Sequence, residues 1–72
     1  MVVFMNAAEK GERYARIFRK AGTFLANGNI ARAVATFKEG VALADAQGDA
    51  KMAERFQAEI ERAKKSPQSG EN

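Results

Sequence analysis

The chain contains no cysteine, no histidine and no tryptophan, and its one proline, Pro67, lies near the C-terminus. The absence of cysteine and histidine excludes disulfide bonds and metal sites built on thiolate or imidazole ligands. It also removes the commonest general base and the thiol nucleophile of enzymes. No apolar run approaches the roughly 20 residues that a membrane-spanning helix needs. We therefore expect a cytoplasmic protein that is not an enzyme, holds no cofactor or metal, and does not enter a membrane.

The length of 72 residues leaves room for one domain with a small core. A chain of this size buries only about 60% of the surface that its unfolded form exposes. Small domains often gain stability from a disulfide, a metal or association with another chain. Because the first two are excluded, the composition favours docking on a partner or self-association, for example as a homodimer.

Cap and turn residues divide the chain into three predicted helices, at about 7–27, 30–47 and 50–65. Asn6 and Glu9 have the spacing of a capping box at the start of the first helix. Asn27-Gly28-Asn29 supplies a left-handed glycine and then a helix N-cap, which predicts a tight turn between antiparallel helices. Gly48-Asp49 repeats that combination before the third helix. The sequence therefore predicts an all-α, three-helix antiparallel fold.

Each predicted helix carries an apolar stripe at spacings of three and four residues, as a core-facing helix requires. Gly40 lies beside the stripe of the second helix, where it is unfavourable by itself, and this indicates close packing of another helix. The stripes consist of Tyr14, Ile17, Phe18, Ala21, Phe24 and Leu25 in the first helix, Ile30, Ala33, Val34, Phe37, Val41 and Ala44 in the second, and Met52, Ala53, Phe56, Ile60 and Ala63 in the third.

Outside the helices, residues 1–5 form an apolar N-terminal arm that we expect to fold back on the core, and residues 66–72 form a polar tail that we expect to be disordered. The predicted domain is thus 6–65. Charge is uneven: residues 1–38 contain seven cations and two carboxylates, whereas residues 39–72 contain five cations and seven carboxylates. A basic first half can attract an acidic partner, although a solvated helix face has the same composition.

The order helix, Gly-Asn turn, helix, Gly-Asp, helix resembles the tetratricopeptide repeat (TPR), a 34-residue helix–turn–helix unit. The resemblance covers about residues 14–49, one repeat, and 50–65 resembles the capping helix that closes such arrays. It rests on a small residue and a bulky one in the first helix, the turn, and a small residue and an aromatic in the second. These are Ala21, Phe24, Gly28-Asn29, Ala33 and Phe37.

The chain departs from the TPR pattern where Lys20 replaces a large apolar residue, where Gly40 replaces alanine, and where no proline closes the repeat. An unrelated three-helix bundle is the alternative architecture. Some TPR proteins bind the terminal carboxylate of a peptide through a Lys and an Asn. Within the resemblance, the corresponding positions of this chain are Phe18 and Gly22. The resemblance therefore implies an apolar groove and not a carboxylate clamp.

The function that the resemblance implies is a non-catalytic interaction module, a scaffold or adaptor that binds a peptide, a helix or itself. Its predicted partner-binding residues are the groove residues Phe18, Gly22 and Leu25 and the rim residues Arg16, Arg19 and Lys20.

Two other functions are alternatives to the interaction module. Arg13, Arg16 and Lys20 lie at spacings of three and four and could follow the phosphates of a nucleic acid. However, in a helix-turn-helix the helix after the turn enters the groove, and here the basic residues lie on the helix before it. Nucleic-acid binding is therefore the weaker hypothesis. A structural component of a larger assembly, with no ligand of its own, is compatible with everything in the sequence.

Overall fold

A computed structural model describes residues 5–65 and contains three α-helices: α1 (Ala7–Ala26), α2 (Ile30–Ala46) and α3 (Ala50–Lys65). No strand occurs among these residues, so the prediction of an all-α fold is confirmed. Turns of three residues join the helices, which makes neighbouring helices antiparallel. The predicted tail and most of the predicted arm, residues 1–4, lie outside the described residues.

The capping box at the start of α1 forms as predicted. The Asn6 carboxamide oxygen accepts a hydrogen bond from the Glu9 N–H at 2.9 Å, and the Asn6 N–H donates to the Glu9 carboxylate at 3.1 Å. These bonds satisfy backbone donors that a helix N-terminus otherwise leaves to water. They allow α1 to begin at Ala7 and to continue through Gly11, a residue that weakens a helix interior.

The two interhelix turns have the same backbone geometry. Gly28 and Gly48 have φ of 76° and 70°, in the left-handed region that favours glycine. After each glycine, the next N–H bonds the carbonyl five residues back, at 2.8 Å both from Asn29 to Phe24 and from Asp49 to Ala44. Each turn is therefore a Schellman motif whose last residue also caps the following helix.

Phe56 of α3 lies at the centre of the core and is fully buried. Three aromatic rings surround it, with ring centroids 5.7 Å away for Tyr14, 4.8 Å for Phe18 and 6.3 Å for Phe37. The edge and stacked arrangements of such pairs add to the free energy gained by burial. All three helices contribute to this cluster, so α3 is an integral part of the core. The predicted apolar stripes lie wholly at buried or half-buried positions.

The helices α2 and α3 pack closely at Gly40. A Cβ atom placed on Gly40 would lie 2.7 Å from the Phe56 ring, a distance that side chains do not tolerate. The glycine at this position is therefore required by the packing, as the sequence indicated. Ala33 and Ala44, on the same side of α2, are fully buried for the same reason: small residues let helices come close.

Candidate interaction surfaces on α1

The six predicted partner-binding residues lie on different sides of α1. Residues two apart in an α-helix point about 160° away from each other, because each residue turns the helix by about 100°. Accordingly, Phe18 contacts α3, whereas Arg16 and Lys20 line the groove between α1 and α2. The structure does not bring the predicted groove and its predicted rim together as one surface.

Phe18 belongs to the packing of the helices. Its half-buried ring stacks on Phe56 at an interplanar angle of 21° and meets Phe37 edge-on at 5.9 Å. The guanidinium carbon of Arg55 lies 5.2 Å from the ring centroid, a cation–π distance that covers the ring further. Leu25 is also half-buried against the core, and Gly22 is exposed with no atom near the position of a Cβ. This edge of α1 therefore offers a partner little free apolar surface.

Arg16, Arg19 and Lys20 are all exposed. The Arg16 guanidinium lies 3.7 Å from the Glu12 carboxylate, an exposed pair that contributes little to stability. The Arg19 carbonyl accepts a hydrogen bond from the Thr23 hydroxyl at 3.0 Å. Arg19 lies about 160° around α1 from the fully buried Ala21. Two of the three predicted rim residues, Arg16 and Lys20, thus share one surface.

That surface is a groove between α1 and α2 on the side of the helix pair opposite α3. We call it the basic groove. Its central section has a volume of about 280 Å³, and its floor is formed by apolar side chains that remain half-exposed. The residues that line the section are Arg13, Arg16, Ile17, Lys20, Glu39 and Leu43.

The basic groove continues along α1 in both directions. A section of about 580 Å³ shares Arg13, Arg16 and Leu43 with the centre and extends to Met5 and Gln47. A section of about 220 Å³ shares Lys20 and Glu39 and extends past the half-buried Phe24, over whose ring the Arg32 guanidinium lies at 5.9 Å. From Glu9 to Phe24 this path is about 22 Å long at 1.5 Å per residue.

Asp49 connects the start of α3 to α1. Its carboxylate accepts hydrogen bonds from the Met52 N–H at 3.3 Å and from the Tyr14 hydroxyl at 3.1 Å, and the Lys10 ammonium lies 4.0 Å away. Burial, the hydrogen bond to Asp49 and the charge of Asp49 raise the pKa of Tyr14 to about 12. All three causes favour the neutral phenol, so this cluster holds the helices together through a protonated tyrosine.

The described residues contain no group of three or more carboxylates placed to hold a metal ion. Within the same part of the chain, no helix is both long enough and apolar enough to cross a bilayer. Comparisons with family models, curated proteins and solved structures gave no match to this chain.

Sequence reasoning missed the α2 side of the basic groove. Thr36 and Leu43 are seven residues apart and therefore share a face of α2, next to Glu39. Thr36 is buried, with its hydroxyl donating to the Arg32 carbonyl at 2.8 Å. This seven-residue spacing was a signal for a second contact face on α2, outside its main apolar stripe.

Proposed function

We propose that this protein is a non-catalytic interaction module with a TPR-like arrangement of helices, which binds a helical or extended segment of another protein. The observation that carries the proposal is the basic groove. It runs along both helices of the first hairpin, combines an apolar floor of Ile17 and Leu43 with charged rims, and is not covered by α3, the remaining helix within residues 5–65. Grooves of this kind accept amphipathic segments.

The TPR-like part of the proposal is supported by the two matching turns and by the full burial of the small residues Ala21 and Ala33. Arrays of helical hairpins repeat one turn geometry and place small residues where their helices cross. The outward face of α3 carries exposed Lys51, Glu54, Gln57 and Glu61, which suits a helix that closes an array. Within residues 5–65, α3 covers one side of the first hairpin, and the basic groove lies on the other side.

The test is site-specific photo-crosslinking in the native host. A photoreactive amino acid at Leu43, in the groove, is compared with one at Ala58, exposed on the outward face of α3. We expect a discrete adduct from position 43 and none from position 58. Equal labelling from both positions, or no adduct from either, would overturn the proposal.

Sedimentation equilibrium of the purified chain from about 5 to 500 µM separates a foreign partner from self-association, since dimer formation depends on concentration. A dimer that persists at high salt and carries the adduct at position 43 would make a second copy the occupant of the groove. A monomer across this range, with an adduct of larger mass in the host, would identify a different protein.

A further inference from the structure

We infer that the basic groove is built for an acidic amphipathic helix, with carboxylates on the flank that faces α1; this inference rests on the proposed function and names the chemistry of its partner. The first observation is the row of cations on one rim. Arg13, Arg16 and Lys20 lie at i, i+3 and i+7, so they share one edge of α1. The opposite wall contributes one carboxylate to this section, from Glu39.

Two of the three rim cations have no ion pair within the described part of the chain. Arg13 and Lys20 form no ion pair with any residue in 5–65, and Arg16 has only its exposed pair with Glu12. Three cations this close repel one another, and a partner carboxylate would relieve that repulsion. Complementary charge of this kind sets the orientation and association rate of a partner more than its total affinity.

The floor of the groove selects between a peptide and a nucleic acid. Ile17 and Leu43 are half-exposed between the charged walls and gain from contact with apolar side chains. A phosphate backbone offers no such contact. The groove therefore favours a partner that has apolar and acidic residues on adjoining faces.

The molecule itself indicates that the occupant is helical. On the other side of the α1–α2 pair, α3 lies as a 16-residue amphipathic helix and inserts Phe56 between the two helices. The basic groove is the corresponding groove on the side that α3 does not cover, and its length of about 22 Å matches about 15 helical residues. A second copy's α3 is a poor occupant because it carries five cations against three carboxylates.

The probe for the experiment is a library of 15-residue alanine-based helical peptides. Leucine is fixed along one face, and the flanking positions vary among Glu, Gln and Lys. Peptides are selected on the full 72-residue chain, and binding is measured by fluorescence anisotropy at about 100 mM salt, where the screening length is about 10 Å.

We expect selected peptides to carry Glu at spacings of three and four on one flank. They should lose at least about tenfold in affinity for the Arg13→Glu/Lys20→Glu variant, a difference of about 1.4 kcal/mol. The matched control is Arg19→Glu/Lys38→Glu, which makes the same change in net charge at exposed positions outside the groove. It should change the affinity less than about twofold. Peptides in which Lys replaces each Glu should bind the Arg13→Glu/Lys20→Glu variant. Circular dichroism checks that both variants remain folded.

Three outcomes would overturn the inference. Selected peptides without a preference for Glu, or with equal losses in the two variants, would show an interaction groove that does not select acidic partners, and the proposed function would stand. The absence of any binding peptide, together with no adduct from position 43, would overturn both this inference and the proposed function. Random duplex DNA that binds at about 50 mM salt through Arg13 and Lys20, where no peptide binds, would assign the row of cations to phosphates.

Discussion

The two interhelix turns have the same backbone geometry but different surroundings. One joins α1 to α2, and the other joins α2 to α3. Both use a left-handed glycine, the same pair of backbone hydrogen bonds and a side-chain cap. The side chain of Asn29, in the first turn, accepts a hydrogen bond from the Arg32 N–H at 3.2 Å and from no other group in residues 5–65. Asp49, in the second, caps α3 and also binds Tyr14, 35 residues earlier in the chain.

This difference shows which part of a turn is local and which part depends on the fold. Glycine and a short polar residue are sufficient for the backbone of either turn. Only the second turn fixes the position of a third helix, because a carboxylate with two oxygens can cap α3 and bind α1 together. The two helices that this turn joins also make the close contact between Gly40 and Phe56.

The largest effect that we predict compares two glycines within helices. Gly40→Ala should lower the free energy of unfolding by about 1–3 kcal/mol, because the new methyl group would overlap the buried Phe56 ring. Gly22→Ala should raise it by about 0.5–1 kcal/mol, because open space surrounds that position and alanine is the better helix former. Urea unfolding measures both. The same sign for the two variants would show that close packing at Gly40 has no special role.

The next largest effects on stability are predicted for substitutions of the two cap residues. Asp49→Ala should cost about 2 kcal/mol and Asn29→Ala about 1 kcal/mol, because the first change removes a tertiary hydrogen bond as well as a cap. Thermal unfolding followed by circular dichroism gives the difference. In a Tyr14→Phe background, the cost of Asp49→Ala should fall toward that of Asn29→Ala. Equal costs in the wild-type background would mean that the link to Tyr14 contributes nothing.

The turn glycines should behave alike. Gly28→Ala and Gly48→Ala should each cost about 1 kcal/mol, because both place a Cβ atom in a left-handed backbone conformation. Denaturant midpoints of the two variants should agree within error. A large difference between them would show that the two turns are not equivalent even in their backbones.

The smallest effect should appear only at high pH. The pKa of Tyr14 lies at about 12 in the folded chain, against an ordinary value of 10.0, mainly because of burial and then because of Asp49. The folded state therefore holds the phenol proton more tightly than the unfolded state. The stability from this group is fully present below about pH 10 and is lost as the pH rises toward 12. Comparing unfolding of wild type and Tyr14→Phe from about pH 8 to 11.5 measures the contribution, because the substitution removes this phenol and keeps the ring.

The sequence predicted the features that depend on a few neighbouring residues. Asn6 with Glu9, Gly28 with Asn29, and Gly48 with Asp49 each define a helix boundary within four positions, since caps and left-handed glycines act locally. The apolar stripes were equally clear, because period and burial are directly related in a helix. The close approach at Gly40 could be expected from the cost of an isolated glycine in a helix interior.

Contacts between helices could not be predicted from such local patterns. The bond from Tyr14 to Asp49 depends on how far α1 is rotated about its axis relative to α3, which no local pattern specifies. The same rotation decides that Arg16 and Lys20 face α2 and that Phe18 faces α3. Arg16 and Lys20 are each two residues from Phe18, which places them about 160° from it around the helix. The separation of the predicted groove residue from these two rim residues could therefore have been predicted from the sequence.

The fit of Gly40 against Phe56 also has an evolutionary consequence. The two positions are in direct contact on different helices, so a larger residue at one requires a smaller residue at the other. Chains descended from a common ancestor should therefore vary at positions 40 and 56 together, with alanine at the first accompanied by leucine or a smaller residue at the second. Such paired change would appear as a correlation between two columns of an alignment, sixteen positions apart, and would mark this helix crossing even where the rest of the sequence had diverged.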